Sequence, residues 1–311
     1  MTPLPTHAYT KYEQVVYLQN NFVAPGVAHP IIVKSEHQGV TMSLTAVRLT
    51  IVALACALCQ VALPAQARTL DEILQSKKII VGVNPSVPPT ALFNDKNELD
   101  GFDVQLSKKI AEMLDVSVEF VKLGANDRVP FVASGKVDYV MGAMTRTPAR
   151  AKVVDFTVPV TTEANAVLTV EGKPFKIWQD LNDPKYTVAE VRGTTSADFV
   201  AKNLPKAKLL LLDDHPSLVT AIAQGRADAS INVVELEVKY MEVHKEVKWK
   251  VLETPVRLYY NGLAVAKSND TLRNWLNVAI FELQTTGYVD ELWKEWFKTD
   301  NIFAVKPNPY F

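Results

Sequence analysis

The sequence predicts an α/β protein made of two lobes of similar architecture, and two observations indicate this. Short β-branched apolar runs, typical of buried strands, alternate with helical patterns, an order that builds a sheet covered by helices. The order strand, helix, strand, helix, strand then occurs twice, and both times a glycine, a basic residue, a small apolar residue and an aspartate precede the last strand, at residues 135–138 and 225–228. A single larger doubly wound sheet is the alternative that the pattern leaves open.

The elements follow one another in the same order in both halves. The first half predicts strands over 78–83, 118–123 and 137–141 with helices over 102–114 and 126–135, and the second half predicts strands over 186–191, 209–212 and 227–231 with helices over 197–202 and 218–225. Glycine ends a helix in each half, as expected for the left-handed position after a helix. Extended segments at 164–168 and 261–265 are candidates for two hinge strands. Ligands bind at the carboxyl ends of strands in such sheets, so the expected site is a cleft between the lobes.

The N-terminal region has the features of an export signal. After Met42 and one basic residue, Arg48, residues 49–63 are almost wholly apolar and Ala65-Gln-Ala67 follows. A charged start, an apolar run and an A-x-A site form a secretory signal peptide, although a buried helix is the alternative. The apolar run is short for a membrane span, which needs about 20 residues. Export predicts a periplasmic protein.

These patterns divide the chain into four parts. The predicted parts are a non-native or disordered extension over 1–41, the signal peptide over 42–67, a first lobe over 68–163 and 262–311, and a second lobe over 164–261. Both cysteines, Cys56 and Cys59, fall within the signal peptide, so a disulfide framework or a four-cysteine zinc site is excluded. With 33 basic and 34 acidic residues the net charge is −1, which argues against a nucleic-acid binder.

Two segments are suited to receive an anion. Thr145 and Arg150 follow a predicted strand, and arginine offers a carboxylate a planar pair of donors. In the second half, residues 193–196 open a helix whose hydroxyls and free N–H groups can receive an anion. A solvated surface arginine and an ordinary helix N-cap are the respective alternatives. Because the two segments occupy equivalent parts of the two halves, a shared carboxylate ligand explains both.

The sequence offers little for catalysis. Of the histidines beyond the signal peptide, His215 and His244 show no metal-ligand spacing, and the motifs H-E-x-x-H, G-x-S-x-G and the Walker loop are absent. No cofactor or metal is expected. Near the C-terminus Trp275, Trp293, Trp296 and Phe297 recur at helical spacing, which favours packing over a stacking platform.

Residues 69–299 resemble the bacterial extracellular solute-binding proteins of family 3, the periplasmic amino-acid-binding components of ABC importers. The motifs that carry the resemblance are Ile79-Ile-Val-Gly-Val83, Gly101-Phe-Asp-Val104, Ser134-Gly-Lys-Val-Asp138, Thr145-x-Thr-x-x-Arg150, Val154-Asp-Phe156, Gly193-Thr-Thr195 and Leu292-Trp-x-x-Trp-Phe297. The resemblance implies the type II periplasmic binding protein fold, with two α/β lobes joined by two hinge strands around a ligand cleft.

The resemblance also implies roles for individual residues. It assigns Arg150 and Thr145 to the ligand α-carboxylate, Thr194 and Thr195 to further donors, the Ala143 backbone to the α-amino group, Asn84 to the ligand side chain, and Arg128 to a side-chain carboxylate. Asp127 resembles an insertion in the Arg128 segment. The main departure is Val233, where most relatives carry an aspartate that pairs with the ligand ammonium. Asn232 and Glu235 are the candidate substitutes, and the alternative is that both side chains face elsewhere. The sequence predicts weak dependence of affinity on the α-amino group.

The expected function follows from these roles. The sequence predicts a monomeric periplasmic protein, not an enzyme, that captures a polar or acidic amino acid or a close carboxylate analogue. Hinge closure would trap the ligand, and an ABC permease in the inner membrane would receive it. The alternative is an enzyme on the same scaffold, similar to the cyclohexadienyl or arogenate dehydratases, with Glu235 as the candidate acid. A sensor ligand domain is a third reading, although no signalling module accompanies it.

Overall fold

The computed structural model of the protein describes residues 67–252, 255–298 and 304–308, all of which fall in one compact unit. The predicted extension over 1–41 and the predicted signal peptide, apart from Ala67, lie outside the described residues. Within the described part of the chain, no helix combines the length and the apolar character that a membrane span requires.

Helices and strands alternate along the described chain. The helices are α1 (Leu70–Ser76), α2 (Phe102–Met113), α3 (Arg128–Ala133), α4 (Thr195–Asn203), α5 (His215–Ala223), α6 (Val238–Met241), α7 (Asp270–Thr285) and α8 (Tyr288–Phe297). The strands are β1 (Lys78–Val83), β2 (Leu92–Phe93), β3 (Leu99–Asp100), β4 (Ser117–Lys122), β5 (Tyr139–Val140), β6 (Val154–Phe156), β7 (Thr161–Val170), β8 (Thr187–Val191), β9 (Lys208–Leu212), β10 (Ala229–Val233), β11 (Trp249–Val251), β12 (Arg257–Asn261) and β13 (Ala264–Ala266).

The first lobe is built on a sheet with the order β4-β1-β5-β13-β6. Its first three strands are parallel, and β13 runs antiparallel to both of its neighbours. The apolar face of α2, which the 3.6-residue spacing of Phe102, Leu106 and Ile110 creates, packs against this sheet and against α7 and α8. The C-terminal aromatic residues belong to this core, so the packing interpretation is confirmed.

The second lobe is built on a separate sheet with the order β11-β7-β10-β8-β9, and β12 pairs with the first half of β7. Strands β10, β8 and β9 are parallel, whereas β7 is antiparallel to β10. One core lies between this sheet and α5, and a second lies on the side of α4. Strands β2 and β3 pair only with each other. Because the remaining strands form two separate sheets, one in each lobe, the single-sheet alternative is excluded and the two-lobed α/β architecture is confirmed.

The chain crosses between the lobes twice. It leaves the first sheet after Phe156 and enters β7 at Thr161, and it returns between Asn261 and Ala264. The crossings are hydrogen-bonded to each other, since the Thr157 N–H donates to the Leu263 carbonyl at 2.9 Å and the Leu263 N–H donates to the Thr157 hydroxyl at 2.9 Å. The first crossing therefore precedes the predicted hinge segment 164–168, because β7 runs on for ten residues into the second sheet.

Candidate functional site

A cleft between the lobes gathers the ends of strands from both sheets. The residues that line it are Asn84, Val87, Arg128, Gly142, Ala143, Thr145, Arg150, Glu163, Asn165, Thr194, Thr195, Ser196, His215, Asn232, Val233 and Leu236. Most of these residues follow the carboxyl ends of β1, β5, β8 and β10, where α/β sheets bind ligands. The space that they enclose is about 30 Å³, far below the several hundred Å³ of a typical drug-sized ligand pocket.

The lobes touch each other across this cleft. The Thr145 and Thr195 hydroxyl oxygens lie 3.4 Å apart, and the Tyr240 hydroxyl donates to the Ser86 carbonyl at 3.0 Å. The structure is therefore the closed arrangement of the two lobes, in which any ligand would be surrounded.

Arg150 connects the two sides of the cleft. Its Nη1 donates to the Thr145 carbonyl at 3.0 Å in the first lobe, and its Nη2 donates to the Gly193 carbonyl at 3.1 Å in the second lobe. Removal from water lowers the pKa of the guanidinium, but an arginine stays charged at neutral pH. The two bonds leave further N–H donors for a ligand carboxylate.

Arg128 is 5% exposed and begins α3. Its side chain bonds the carbonyls of Ala125 at 3.3 Å and of Ala143 at 3.4 Å, and a third bond goes to Gly142. Burial and the neighbouring Arg150 lower the pKa of Arg128 to about 10. Arg128 thus holds the backbone of the 142–143 turn as well as lining the cleft.

The Ala143 backbone is unusual for a residue with a side chain. Its φ is +53°, in the left-handed region that costs a non-glycine residue about 1–3 kcal/mol. The Ala143 carbonyl accepts from the Thr145 N–H at 2.9 Å in addition to Arg128. This turn presents backbone to the cleft at the position that the resemblance assigns to the α-amino group.

The two threonines at the start of α4, Thr194 and Thr195, have different roles. Thr194 is the N-cap: its hydroxyl accepts from the Ala197 N–H at 3.2 Å and donates to the Val191 carbonyl at 2.7 Å. The N-cap interpretation of this residue is therefore confirmed. The Thr195 hydroxyl faces Thr145 instead. In the first lobe, the Asn84 side-chain oxygen accepts from both the backbone and the hydroxyl of Ser86, at 3.1 and 2.8 Å.

Asn232 lines the cleft but is bound to a buried network behind it. Its amide nitrogen donates to Glu237 at 2.7 Å, its oxygen accepts from the Val233 N–H at 2.8 Å, and His215 Nδ1 lies 2.6 Å from the same Glu237 oxygen. All three side chains of the network are buried. Asn232 is thereby held in place and its oxygen is already used.

Glu235 does not line the cleft, so its assignment to the site is corrected. The short 3₁₀ helix Val234–Leu236 follows β10 and turns Leu236 inward, where it packs on Val87 and Val233. Glu235 consequently points outward, is exposed, and lies in a surface groove beside Pro88 and Trp296. Val233 does line the cleft, so an apolar side chain stands where the resemblance implies an aspartate.

Two polar residues of the site were missed at the sequence level. Glu163 and Asn165, two positions apart on β7, both line the cleft. The closed lobes shield the Glu163 carboxyl from water and raise its pKa to about 7, against the opposing effects of a hydrogen bond from Asn261 and of Arg128 and Arg150. A polar i, i+2 pair inside an apolar extended segment is the signal that could have found them. His215 also lines the cleft and was not assigned to it from the sequence, whereas Ser196 belongs to the predicted anion-receiving segment 193–196.

The described residues contain no group of three or more His, Cys, Asp or Glu side chains placed to hold a metal ion. The polar side chains of the site are two guanidinium groups, one carboxyl group, one imidazole, hydroxyls and amides. Such a set can bind a small zwitterion or anion by charge-assisted hydrogen bonds.

Comparison with known proteins places the chain among transport-binding proteins. Residues 79–299 match the model of the bacterial extracellular solute-binding proteins, family 3. The glutamine-binding protein GlnH of Bacillus subtilis is 27% identical over 75% of this chain and 85% of its own length. The glutamate/aspartate import solute-binding protein of Escherichia coli is 24% identical over 76% of this chain and 82% of its own length.

Solved structures give the same fold. The solute receptor for L-cysteine of Neisseria gonorrhoeae has a TM-score of 0.69 at 29% identity, covering 77% of this chain and 98% of its own. An ancestral amino acid-binding protein, a precursor of cyclohexadienyl dehydratase, has a TM-score of 0.68 at 32% identity, covering 73% and 99%. The two relatives and the two solved structures are all named as amino-acid-binding proteins, and one of the structures is the precursor of an enzyme.

Proposed function

Since the chain belongs to the bacterial extracellular solute-binding proteins of family 3, we propose a specific role for it in amino-acid import. The two relatives described above are transport-binding proteins and not enzymes. The protein captures a small polar or acidic amino acid, or a close carboxylate analogue, in the cleft between its lobes. Closure of the lobes traps the ligand in the periplasm, and the closed form delivers it to the permease of an ABC importer.

The position of Arg150 is the observation that carries this proposal. Its guanidinium bonds one backbone carbonyl in each lobe, so a carboxylate bound to its remaining donors meets both lobes at once. Thr195 and Thr145 add hydroxyls beside it. A ligand held this way favours the closed arrangement because it gains contacts there that the open arrangement lacks.

The polarity of the cleft supports a small polar ligand. The lining contains only a few apolar side chains, such as Val87 and Val233. A long aliphatic or aromatic side chain would leave the amides and charges of the lining without partners, which is costly in a desolvated site.

A thermal-shift screen over the twenty amino acids and small dicarboxylates tests the proposal. Ligand at a hundred times its Kd stabilises the folded state by about 2.7 kcal/mol. We expect a clear rise in melting temperature with one or a few small polar or acidic amino acids. If only large apolar amino acids raise the melting temperature, or if no compound of the panel does, the proposed ligand class is wrong.

The dehydratase-like alternative is tested in parallel. It is favoured by the similarity to the dehydratase precursor and by the Glu163 carboxyl, whose pKa near 7 suits a general acid. Turnover of prephenate or arogenate, followed by absorbance, would establish this activity. We expect no turnover, because the few apolar side chains of the lining offer little contact area to a ring.

A further inference from the structure

We propose, on the basis of the proposed amino-acid ligand, that its α-ammonium group is held from the hinge strand β7 by the Glu163 carboxylate and the Asn165 side-chain oxygen. This site replaces the acidic partner that Val233 cannot supply. It also replaces the sequence-based expectation that affinity depends weakly on the α-amino group.

The strand geometry brings the two acceptors to the same place. Side chains two positions apart on a strand share a face, and both Glu163 and Asn165 line the cleft. The ladder with β12 fixes them, pairing Glu163 with Tyr259 and Asn165 with Arg257. Because this ladder directly follows the crossings between the lobes, the acceptors lie at the base of the cleft.

Asn165 carries an acceptor that has no partner. Its side chain is 3% exposed, and its amide nitrogen donates to the Ser196 hydroxyl at 2.8 Å. That bond directs the nitrogen toward Ser196, and among the described residues the oxygen is buried without a hydrogen bond. A buried acceptor without a donor is unfavourable, and an ammonium group supplies the donor.

Glu163 is the one carboxylate among the described residues that line the cleft. Its hydrogen-bond partner is the Asn261 side chain, and Arg128, Arg150 and His215 influence it electrostatically. A carboxylate accepts several hydrogen bonds, so Asn261 leaves room for an ammonium donor. With Arg150 for the carboxylate and Glu163 for the ammonium, the cleft matches both charges of an amino acid.

Other acceptors near the cleft are unsuited to this role. The Asn232 oxygen accepts from the Val233 N–H, and Asp103 accepts from the Gly142 N–H at 2.7 Å behind the turn. Glu237 lies behind Asn232 and His215, completely buried. Glu235 is outside the cleft.

The test compares an amino acid with its des-amino analogue in wild type, Glu163→Gln and a matched control, Glu235→Gln. The probe pairs are L-aspartate with succinate, L-glutamate with glutarate and L-cysteine with 3-mercaptopropionate, and the pair is chosen by the thermal-shift screen. Glutamine keeps the size of Glu163 and a hydrogen bond to Asn261 but removes the charge.

We expect Glu163→Gln to weaken amino-acid binding by at least about thirty-fold, within the range for removing one partner of a buried charge pair. Its affinity for the des-amino analogue should not fall below the wild-type value, which shows that the variant is folded. Glu235→Gln should bind both members of the pair as wild type does. Asn165→Ala should weaken binding of the amino acid more than binding of its des-amino analogue.

Two failures are distinguishable. If wild type binds an amino acid but Glu163→Gln binds it equally well, this inference is wrong and the proposed function stands. If no small polar or acidic amino acid of the thermal-shift panel binds wild type, the proposed function is overturned, and this inference with it.

Discussion

Arg150 contacts both lobes, so its removal affects ligand contact and closure together. We predict that Arg150→Ala weakens amino-acid binding by at least about thirty-fold, as expected for truncating a buried charge-assisted contact, while the melting temperature of the unliganded protein changes little. Calorimetry checks the affinity. Arg192→Ala is the matched control, because Arg192 is exposed and pairs with Asp213 at 3.4 Å outside the cleft. Near-normal affinity in Arg150→Ala would show that Arg150 does not bind the ligand carboxylate.

Asp103 makes stability depend on pH. It is 4% exposed, and burial raises its pKa to about 7, although the Gly142 N–H, the Thr90 hydroxyl and Arg128 oppose the shift and Glu163 adds to it. Because the folded state holds this proton between about pH 4 and 7 and the unfolded state does not, the free energy of unfolding falls as pH rises through that window. The share of Asp103 is on the order of 4 kcal/mol.

We predict that Asp103→Asn removes this share, since asparagine retains an oxygen that can accept from the Gly142 N–H but does not titrate. Denaturant unfolding at pH 5 and pH 8 measures the slope in both proteins. An equal decrease in wild type and Asp103→Asn would show that Asp103 is ionised throughout.

The residues of the site differed in how far sequence could predict them. Thr145 and Arg150 were identifiable because they lie in the segment that directly follows a strand, within ten residues of its end. Glu163 was not, because the direction of its side chain depends on the register of β7 with β12, a pairing between segments distant in sequence. Glu235 was misassigned because one turn of 3₁₀ helix decides which of three consecutive side chains faces the cleft.

At the scale of elements, α8 is attached to the first lobe by aromatic contacts. Phe102 of α2 packs edge-on against Trp293 and Phe297 at centroid distances of 6.0 and 6.1 Å, and those two rings stack at 3.8 Å. We predict that Phe102→Ala lowers the free energy of unfolding by about 3–5 kcal/mol, the range for a phenylalanine removed from a core. Denaturant unfolding followed by tryptophan fluorescence measures it.

Phe93→Ala is the control for that substitution, since Phe93 is 41% exposed. Phe93→Ala should lower the free energy of unfolding far less than Phe102→Ala does. Equal losses in the two variants would mean that the cluster around α8 adds no packing energy beyond that of a surface ring.

Elements with local signals were predictable and the crossing was not. Strands such as β1 and β8 are short apolar runs between turn residues, and α2 has a clear apolar face. Strand β7 is continuous through the base of the cleft, so no turn residue marks where the first lobe ends. Its position follows from pairing with β12 and β10, whose residues lie sixty or more positions from their partners in the chain.

At the scale of the molecule, closure brings Gly193 against Asn126 of the other lobe. A Cβ at Gly193 would overlap the Asn126 side chain and lie 3.1 Å from its Cα, and the φ of Gly193 is +75°. We predict that Gly193→Ala obstructs closure, weakens ligand binding by about tenfold or more, and removes the decrease in radius of gyration that small-angle scattering records when ligand is added to wild type.

Gly225→Ala separates obstruction from backbone strain. Gly225 has a similar φ of +70°, but nothing lies within 4 Å of an added Cβ. Both substitutions should lower stability by similar amounts, while only Gly193→Ala should affect closure. Normal closure in Gly193→Ala would show that the lobes meet differently when ligand is bound.

The central claim is that the cleft around Arg150 binds an amino acid by both of its charges. A crystal structure of the complex with the tightest ligand of the screen tests it most directly. We predict the ligand carboxylate within hydrogen-bonding distance of Arg150 and Thr195, and its ammonium group within hydrogen-bonding distance of Glu163 and Asn165, between closed lobes. A ligand bound outside this cleft, or with its carboxylate away from Arg150, would contradict the claim.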